Sequence, residues 1–282
     1  MLFTILNQGL IYGLLALGVY ITYKILDFPD LTVDGSLTLG ATTACMLIVH
    51  GVNPILACLV AMIAGSLAGA VTGCLHVFGK ISNLLSSIIT MTMLYSINLK
   101  IMDSKANVSI AGKDNIYNML DLLSPNLQKL IIILIVIIAI KLLLNVIMNS
   151  KFGLLFRSVG TNPALVTSMG ASVGAFKIIG LAISNSLVAL AGALIMQLQL
   201  YADIGMAQGP IVLGLTCTIL GLSISSKLKF LEPSWAVIIG SIIYQAIIVV
   251  ALFLGLPPIY LKFTMAVLLI LLLVLGRRNH ND

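Results

Sequence analysis

The chain has 282 residues, of which 60% are hydrophobic and only 9% are charged, with a formal net charge of +6. Ordinary soluble domains carry roughly 25% charged residues, so this chain has too few to cover a surface exposed to water. The composition therefore excludes a cytosolic enzyme, a nucleic-acid-binding module and a disordered protein. It predicts a protein whose surroundings are mostly lipid.

Apolar runs separated by polar breaks predict an all-α polytopic membrane protein with a single transmembrane domain over residues 1–282. Because a helix crosses the hydrocarbon core with about 20 residues, the runs correspond to about nine spans, within a range of roughly eight to ten. The predicted spans lie near residues 2–24, 36–49, 54–79, 83–102, a fifth ending near 148, 176–198, 210–224, 235–254 and 259–275.

A polar break over residues 26–36 interrupts the helical pattern directly after the first span. Pro29 removes a backbone donor and disfavours helix at the preceding residue, so the chain must leave the helix here. Thr32, Asp34 or Ser36 can cap the helix that restarts. A second interpretation, compatible with the first, is a partly re-entrant segment whose non-helical backbone lines a cavity.

The polar stretch from about 150 to 174 contains start and stop signals for a short helix. Thr161 or Asn162 is the candidate N-cap, Pro163 occupies the first helical position, and Gly170 marks the end. The predicted helix has an apolar face. That face either rests on lipid or binds a cytoplasmic partner.

The placement of lysine and arginine predicts the orientation, because cytoplasmic loops are enriched in both. With nine spans and a cytoplasmic C-terminus, the inner side holds ten of them: Lys24, Lys80, Lys141, Lys151, Arg157, Lys177, Lys227, Lys229, Arg277 and Arg278. The outer side holds five: Lys100, Lys105, Lys113, Lys129 and Lys262. Lys141 is counted as inner because it can snorkel to that face. This excess predicts an external N-terminus, an external loop at about 103–126 and a cytoplasmic loop at about 150–174.

Glycines recur every fourth residue in the third span, at Gly65, Gly69 and Gly73. Glycines at this spacing share one helix face, which the backbone of another helix can approach closely. We expect ordinary packing within one bundle, with a subunit interface as the alternative.

The sequence contains no motif typical of nucleotide binding or of catalysis. The nearest match to a phosphate-binding loop, Gly73 to Lys80, has the wrong spacing and lies in a span, and neither HExxH nor GxSxG occurs. We therefore expect no catalytic residue, metal or cofactor, and any ATP that drives the protein would bind another subunit. Polar residues in the spans are mostly neutral, Thr90 and Asn185 among them, and can line a solute pathway or join helices. The lack of charge at mid-span argues against an ion-coupled carrier.

Two stretches resemble known permeases. Residues 152–194 read FGLLFRSVGTNPALVTSMGASVGAFKIIGLAISNSLVALAGAL, which resembles the coupling-loop region of ABC importer permeases of the branched-chain amino acid and ribose type. Residues 23–41 read YKILDFPDLTVDGSLTLGA, which resembles the bacterial tryptophan/tyrosine (amino-acid) transport system permease branch. The resemblance covers nearly the whole chain.

This resemblance implies a subunit of the bacterial cell membrane that takes part in transport but hydrolyses no ATP itself. Its implied partners are a cytoplasmic ABC ATPase, an extracytoplasmic solute-binding lipoprotein, a second permease copy in a homodimer, and membrane lipid, with no nucleic acid. The implied ATPase-coupling residues are Gly160, Asn162, Pro163, Ala164, Met169 and Gly170. The expected pathway residues are Asp30, Thr32, Asp34, Thr90 and Asn185.

The resemblance implies a small polar solute, most simply an amino acid, aromatic ones included; a nucleoside or sugar is the alternative. Two other functions stay open from the residues alone. One is a secondary transporter that works on an ion gradient without an ATPase. The other is a membrane scaffold that anchors a partner through residues 150–174.

Overall fold

The computed structural model describes residues 1–118, 124–228 and 231–278. The predicted inner residue Lys229 and part of the predicted external loop, residues 119–123, lie outside these ranges. The helices α1 to α11 are Leu2–Tyr20, Thr32–Val49, Pro54–Val77, Asn83–Ile101, Pro125–Met148, Lys151–Thr161, Pro163–Ser168, Val173–Gln199, Pro210–Lys227, Pro233–Phe253 and Leu261–Arg278. A π-helical turn, Ile21–Ile25, extends α1.

Seven helices of the described ranges are long and apolar enough to cross a membrane: α1 with its π turn, α2, α3, α4, α5, α8 and α10. Helices α9 and α11 are apolar but have shorter apolar segments. The all-α polytopic architecture is therefore confirmed, whereas the predicted number of about nine spans is not. The second predicted span begins earlier than expected, at Thr32 instead of Ser36.

Two short strands join loops that are far apart in sequence. Strand β1, Asn107–Ser109, pairs antiparallel with β2, Tyr201–Asp203, in the register Asn107 to Asp203. Because β1 follows α4 and β2 follows α8, the last turns of these two helices lie at the same end of the bundle, which we call the ribbon face. Neither strand was predicted from the sequence.

Helices α6 and α7 form a hairpin at the opposite end, which we call the hairpin face. The sequence predicts one short helix between residues 150 and 174, and the structure has two. The side chain of Ser150 caps α6 by accepting from the Gly153 amide at 3.3 Å. Three residues of α6, Gly153, Phe156 and Val159, are buried against the bundle, so α6 is packed as part of the protein.

Helices α2, α3 and α8 form the centre of the bundle, and small residues allow their backbones to meet. A methyl group on Gly69 of α3 would overlap the carbonyl oxygen of Leu181 in α8, and one on Gly40 of α2 would overlap that of Ala189. Gly65 and Gly73 face α8 in the same way. The predicted packing of this glycine face within one bundle is confirmed, because its partner is a helix of the same chain.

Lys141 departs from its predicted position. Its side chain is 1% exposed and its Nζ lies 2.8 Å from Glu232 Oε2, at the start of α10. The ammonium group also lies 5.5 Å from the centre of the Trp235 ring. Lys141 therefore does not snorkel to water. Its charge is balanced by Glu232, whose own side chain is 39% exposed and which is close only after folding.

Candidate functional site

The break after the first span is partly buried: its side chains alternate between the interior of the bundle and its surface, where Asp27 and Pro29 are exposed. Between the π turn and α2, Leu26 is 2% exposed, Phe28 0% and Asp30 3%. The π turn closes with a bond from the Leu26 amide to the Ile21 carbonyl at 3.0 Å. Non-helical backbone within an apolar bundle must find its hydrogen-bond partners in the protein. The buried side chains agree with the re-entrant interpretation and the exposed ones with a surface break, so the two interpretations remain compatible.

Asp30 joins the end of the break to α2 and α8. Its Oδ1 accepts from the Thr32 amide at 2.9 Å, and its Oδ2 accepts from Asn185 Nδ2 of α8 at 2.8 Å. The Thr32 hydroxyl lies 2.8 Å from that of Thr72 in α3. No side chain at Leu31, the N-cap of α2, makes a capping bond. The predicted caps Thr32, Asp34 and Ser36 are therefore wrong, because the carboxylate of Asp30 already accepts from the first amide of α2.

Asp34 caps a different helix. Its Oδ1 accepts from the Ile211 amide at 2.7 Å, at the start of α9. Helix α9 begins after Gly209, whose φ of +104° is a left-handed conformation that glycine adopts without strain. A carboxylate at a helix N-terminus meets the positive end of the helix dipole. Asp34 therefore ties the beginning of α2 to the beginning of α9.

A cavity of about 480 Å³ lies beside the start of α9. Its polar wall residues are Tyr12, Gln199, Gln208 and Lys262, and its apolar wall residues include Leu15, Leu37, Ile195, Met206, Val212 and Leu213. The ammonium group of Lys262 donates to Gln208 Oε1 at 3.2 Å. The cavity can therefore offer an ammonium group and side-chain amides to a solute whose remainder is apolar.

The five predicted pathway residues do not line this cavity. Asp30, Thr32 and Asn185 come together in the buried junction of the break, and Asp34 reaches the cavity only through the start of α9. Thr90 is 2% exposed and bonds within α4, to the Ser86 carbonyl at 3.0 Å. Sequence reasoning missed the cavity residues because Tyr12, Gln208 and Lys262 are separated by long stretches of chain. No local pattern unites them.

Helix α7 presents an exposed apolar end on the hairpin face. Asn162 caps it by accepting from the Leu165 amide at 3.1 Å, and Pro163 is its first residue. Met169, just after the helix, is 65% exposed, whereas Val166 is fully buried. Gly170 has a φ of +76° with open space around it, as expected for a glycine that ends a helix. The predicted cap, start and stop of this helix are confirmed.

Gly160 differs from the other predicted coupling residues. A methyl group there would overlap the carbonyl oxygen of Ile25, at the end of the π turn. By contrast, Asn162, Pro163, Ala164, Met169 and Gly170 are all exposed. The predicted set therefore divides into five residues at the tip of the hairpin and one that faces the break.

In the described ranges, no three His, Cys, Asp or Glu side chains lie close enough together to hold a metal ion. The residues that the structure does bring together are carboxylates, hydroxyls and amides that bind helix ends. Such groups can position helices and contact a polar solute.

Comparison with known proteins identifies the class. Residues 1–275 match the family described as branched-chain amino acid transport system / permease component. The chain belongs to this permease family. A tyrosine transport system permease protein of Clostridioides difficile (strain R20291) is 40% identical over 98% of this chain and 91% of its own length. An uncharacterized protein of Rickettsia prowazekii (strain Madrid E) is 35% identical over 99% of this chain and 98% of its own.

One solved structure, of PsaBC from Streptococcus pneumoniae in complex with Fab, aligns with 87% of this chain and 88% of its own. Its sequence identity to this chain is 15% and its TM-score is 0.42. As a member of the permease family, the chain is a multi-pass membrane transport protein.

Proposed function

We propose that this permease is the transmembrane subunit of an ATP-binding cassette importer and that a separate cytoplasmic subunit hydrolyses the ATP. The observation that carries the proposal is the shape of the hairpin face. Helix α6 is packed into the bundle, and α7 is anchored by the buried Val166 while Leu165 and Met169 are exposed. A capped helix on a packed support is a rigid projection for a protein partner, whereas a helix that only rests on lipid needs no such support.

The proposed ATPase contacts are Asn162, Pro163, Ala164, Met169 and Gly170. Leu165 adds apolar surface at the same tip, where it is 44% exposed. Motion of the ATPase would displace this tip as a rigid body and switch the pathway between outward and inward openings. The permease itself would perform no covalent chemistry.

The hairpin face would lie in the cytoplasm, with the N-terminus outside and the C-terminus inside. This orientation agrees with the excess of lysine and arginine on the predicted inner side. The ribbon face would then receive solute from an extracytoplasmic binding lipoprotein. A second copy of the chain would complete the pathway as a homodimer in the bacterial cell membrane.

An amino acid is the proposed solute, with aromatic amino acids included. The name of the Clostridioides difficile relative supports this class, and so does the family description. The cavity adds chemical support, because an ammonium group from Lys262 beside an apolar wall suits a carboxylate attached to an apolar side chain.

The proposal is tested by replacing Ala164 with arginine. Ala164 is exposed on α7, so the larger side chain leaves the bundle intact but introduces bulk and charge into the proposed contact. We expect the ATPase to be lost on co-purification, with affinity reduced by about tenfold or more, equivalent to roughly 1.4 kcal/mol. The measurement is the molar ratio of ATPase to permease after affinity purification of the assembled complex.

The matched control is Ala111→Arg, an exposed alanine in the loop after β1, which should retain the ATPase. Equal retention by both variants would contradict the proposed contact. Solute movement by the purified permease in vesicles that contain no ATPase would instead support the secondary-transporter alternative.

A further inference from the structure

The coupling hairpin touches the interrupted segment directly, backbone against backbone. A methyl group on Gly160 would overlap the Ile25 carbonyl oxygen. It would also lie 3.0 Å from the Leu26 carbonyl carbon and 3.1 Å from the Asp27 amide nitrogen. Only glycine allows α6 to approach the π turn this closely. The contact joins the hairpin to the chain a few residues before Asp30.

Aromatic side chains hold α6 in this position. Phe156 is fully buried, and its ring centre lies 5.7 Å from that of Phe152 and 6.5 Å from that of Phe176 in α8. A methyl group on Gly180 of α8 would lie 2.6 Å from both Phe156 and Leu26. Close-packed groups of this kind transmit displacement, because neither side has free volume into which it can yield.

The segment that α6 touches has an unusual backbone. The π turn is followed by a bond from the Phe28 amide to the Thr22 carbonyl at 2.9 Å, and Asp27 between them has a φ of +50°. Single π turns inside α-helices occur frequently at functional sites. From there the chain leads to Asp30, which holds α8, and to Asp34, which holds the start of α9.

We propose that Gly160 is a positioning residue that carries movement of the hairpin into the break, and through Asp34 to the start of α9 and the cavity. The role differs from binding the ATPase, which belongs to the exposed tip of α7. This inference rests on the proposed function, since an ATPase must supply the movement. It assigns Gly160 to the transmission of that movement. It therefore predicts that a substitution at Gly160 impairs transmission while the ATPase remains bound.

The test uses Gly160→Ala in the complete complex of permease and ATPase. A cysteine at Gln208, on the cavity wall, reports the state of the cavity through its rate of reaction with a water-soluble maleimide. The exposed native thiol of Cys74 is first removed by Cys74→Ser in every variant. In this parent, ATP should change the labelling rate by about fivefold or more, the low end of the coupling seen between two sites in proteins.

Gly160→Ala should retain the ATPase on co-purification and lose most of this ATP-dependent change. The matched control is Ser158→Thr, which adds one methyl group to a half-exposed position of α6 and should respond as the parent does. If Gly160→Ala does not accumulate, Phe156→Leu provides the second variant, because it removes the ring but keeps an apolar filler, and it should reduce the ATP response with the ATPase still bound.

Three results would overturn the inference. One is that Gly160→Ala, or Phe156→Leu where that variant is used, shows the same ATP-dependent change in labelling rate as the parent. The second is loss of the ATPase from Gly160→Ala, which would make Gly160 a docking residue. The third is a parent that binds the ATPase and shows no ATP response at Gln208. Failure of the parent to bind any ATPase is a different outcome, because it contradicts the proposed function itself.

Discussion

Asp34→Ala is expected to abolish transport while the ATPase stays bound. The carboxylate accepts from the Ile211 amide at 2.7 Å and so fixes the start of α9 beside the cavity. Removing it leaves a partly buried amide without an acceptor, at a cost of about 1–3 kcal/mol. Loss of the charge at the helix N-terminus adds roughly 0.3–1 kcal/mol.

Asp34→Asn keeps one acceptor oxygen and removes the charge, so its effect should be smaller than that of Asp34→Ala. The measurements are uptake of a radiolabelled amino-acid mixture by cells with the complete transport system, and thermal unfolding of the purified permease. We expect Asp34→Ala to lower the unfolding temperature by on the order of several degrees. Asp114→Ala, at an exposed acid in the loop after β1, is the control. Normal uptake by Asp34→Ala would show that the junction of α2 with α9 is dispensable.

Gly69→Ala is expected to destabilise the bundle even though it adds one methyl group. That group would overlap the Leu181 carbonyl oxygen and lie 2.6 Å from its carbon. Because both atoms belong to the α8 backbone, no side-chain rotation relieves the contact, and α3 must move away from α8. Overpacking of this kind costs about 1–3 kcal/mol, and sometimes more.

The control for Gly69→Ala is Ala70→Val, which adds two methyl groups to the next residue of α3, where the surface is half-exposed. We expect Gly69→Ala to lower both the unfolding temperature and the yield of monodisperse protein, and Ala70→Val to change neither strongly. If Gly69→Ala were tolerated as well as Ala70→Val, the close approach of α3 and α8 would be refuted.

Local signals in the sequence predict much of this fold. Pro29 locates the break after the first span, although the π turn already ends at Ile25, and the Asn162–Pro163 pair with Gly170 identifies both ends of α7. These predictions succeed because each depends on backbone chemistry within a few residues. The apolar runs likewise locate the long helices, since lipid requires continuous apolar segments.

Contacts between distant residues cannot be predicted in this way. The bond from Ile211 to Asp34 joins residues 177 apart in sequence, and that from Asn185 to Asp30 joins residues 155 apart. The sequence predicts that Lys141 snorkels to water, but in the structure its ammonium group pairs with Glu232, 91 residues away in sequence. The prediction of Asp30 and Asn185 as pathway residues remains a proposal, because their bond forms in a buried junction and neither lines the cavity.

Helix α6 and the strands β1 and β2 were missed for a related reason. Helix α6 is 11 residues long and includes two glycines, so its local preference for helix is weak. Burial of Phe156 against Gly180 and Phe176 of α8 stabilises the helix despite its weak local propensity. The three-residue strands exist only because folding brings the ends of α4 and α8 together.

The most direct test of the account places a photo-crosslinking amino acid at Met169 in intact bacteria that make the complete transport system. Met169 lies at the tip of the hairpin and is 65% exposed. A second variant, which carries the photo-crosslinking amino acid in place of Tyr201 on the ribbon face, serves for comparison. The account predicts a crosslink from position 169 to a cytoplasmic ATP-hydrolysing subunit and none from position 201 to that subunit. A crosslink from position 169 to an extracytoplasmic protein, or the absence of any crosslink to an ATPase there, would contradict it.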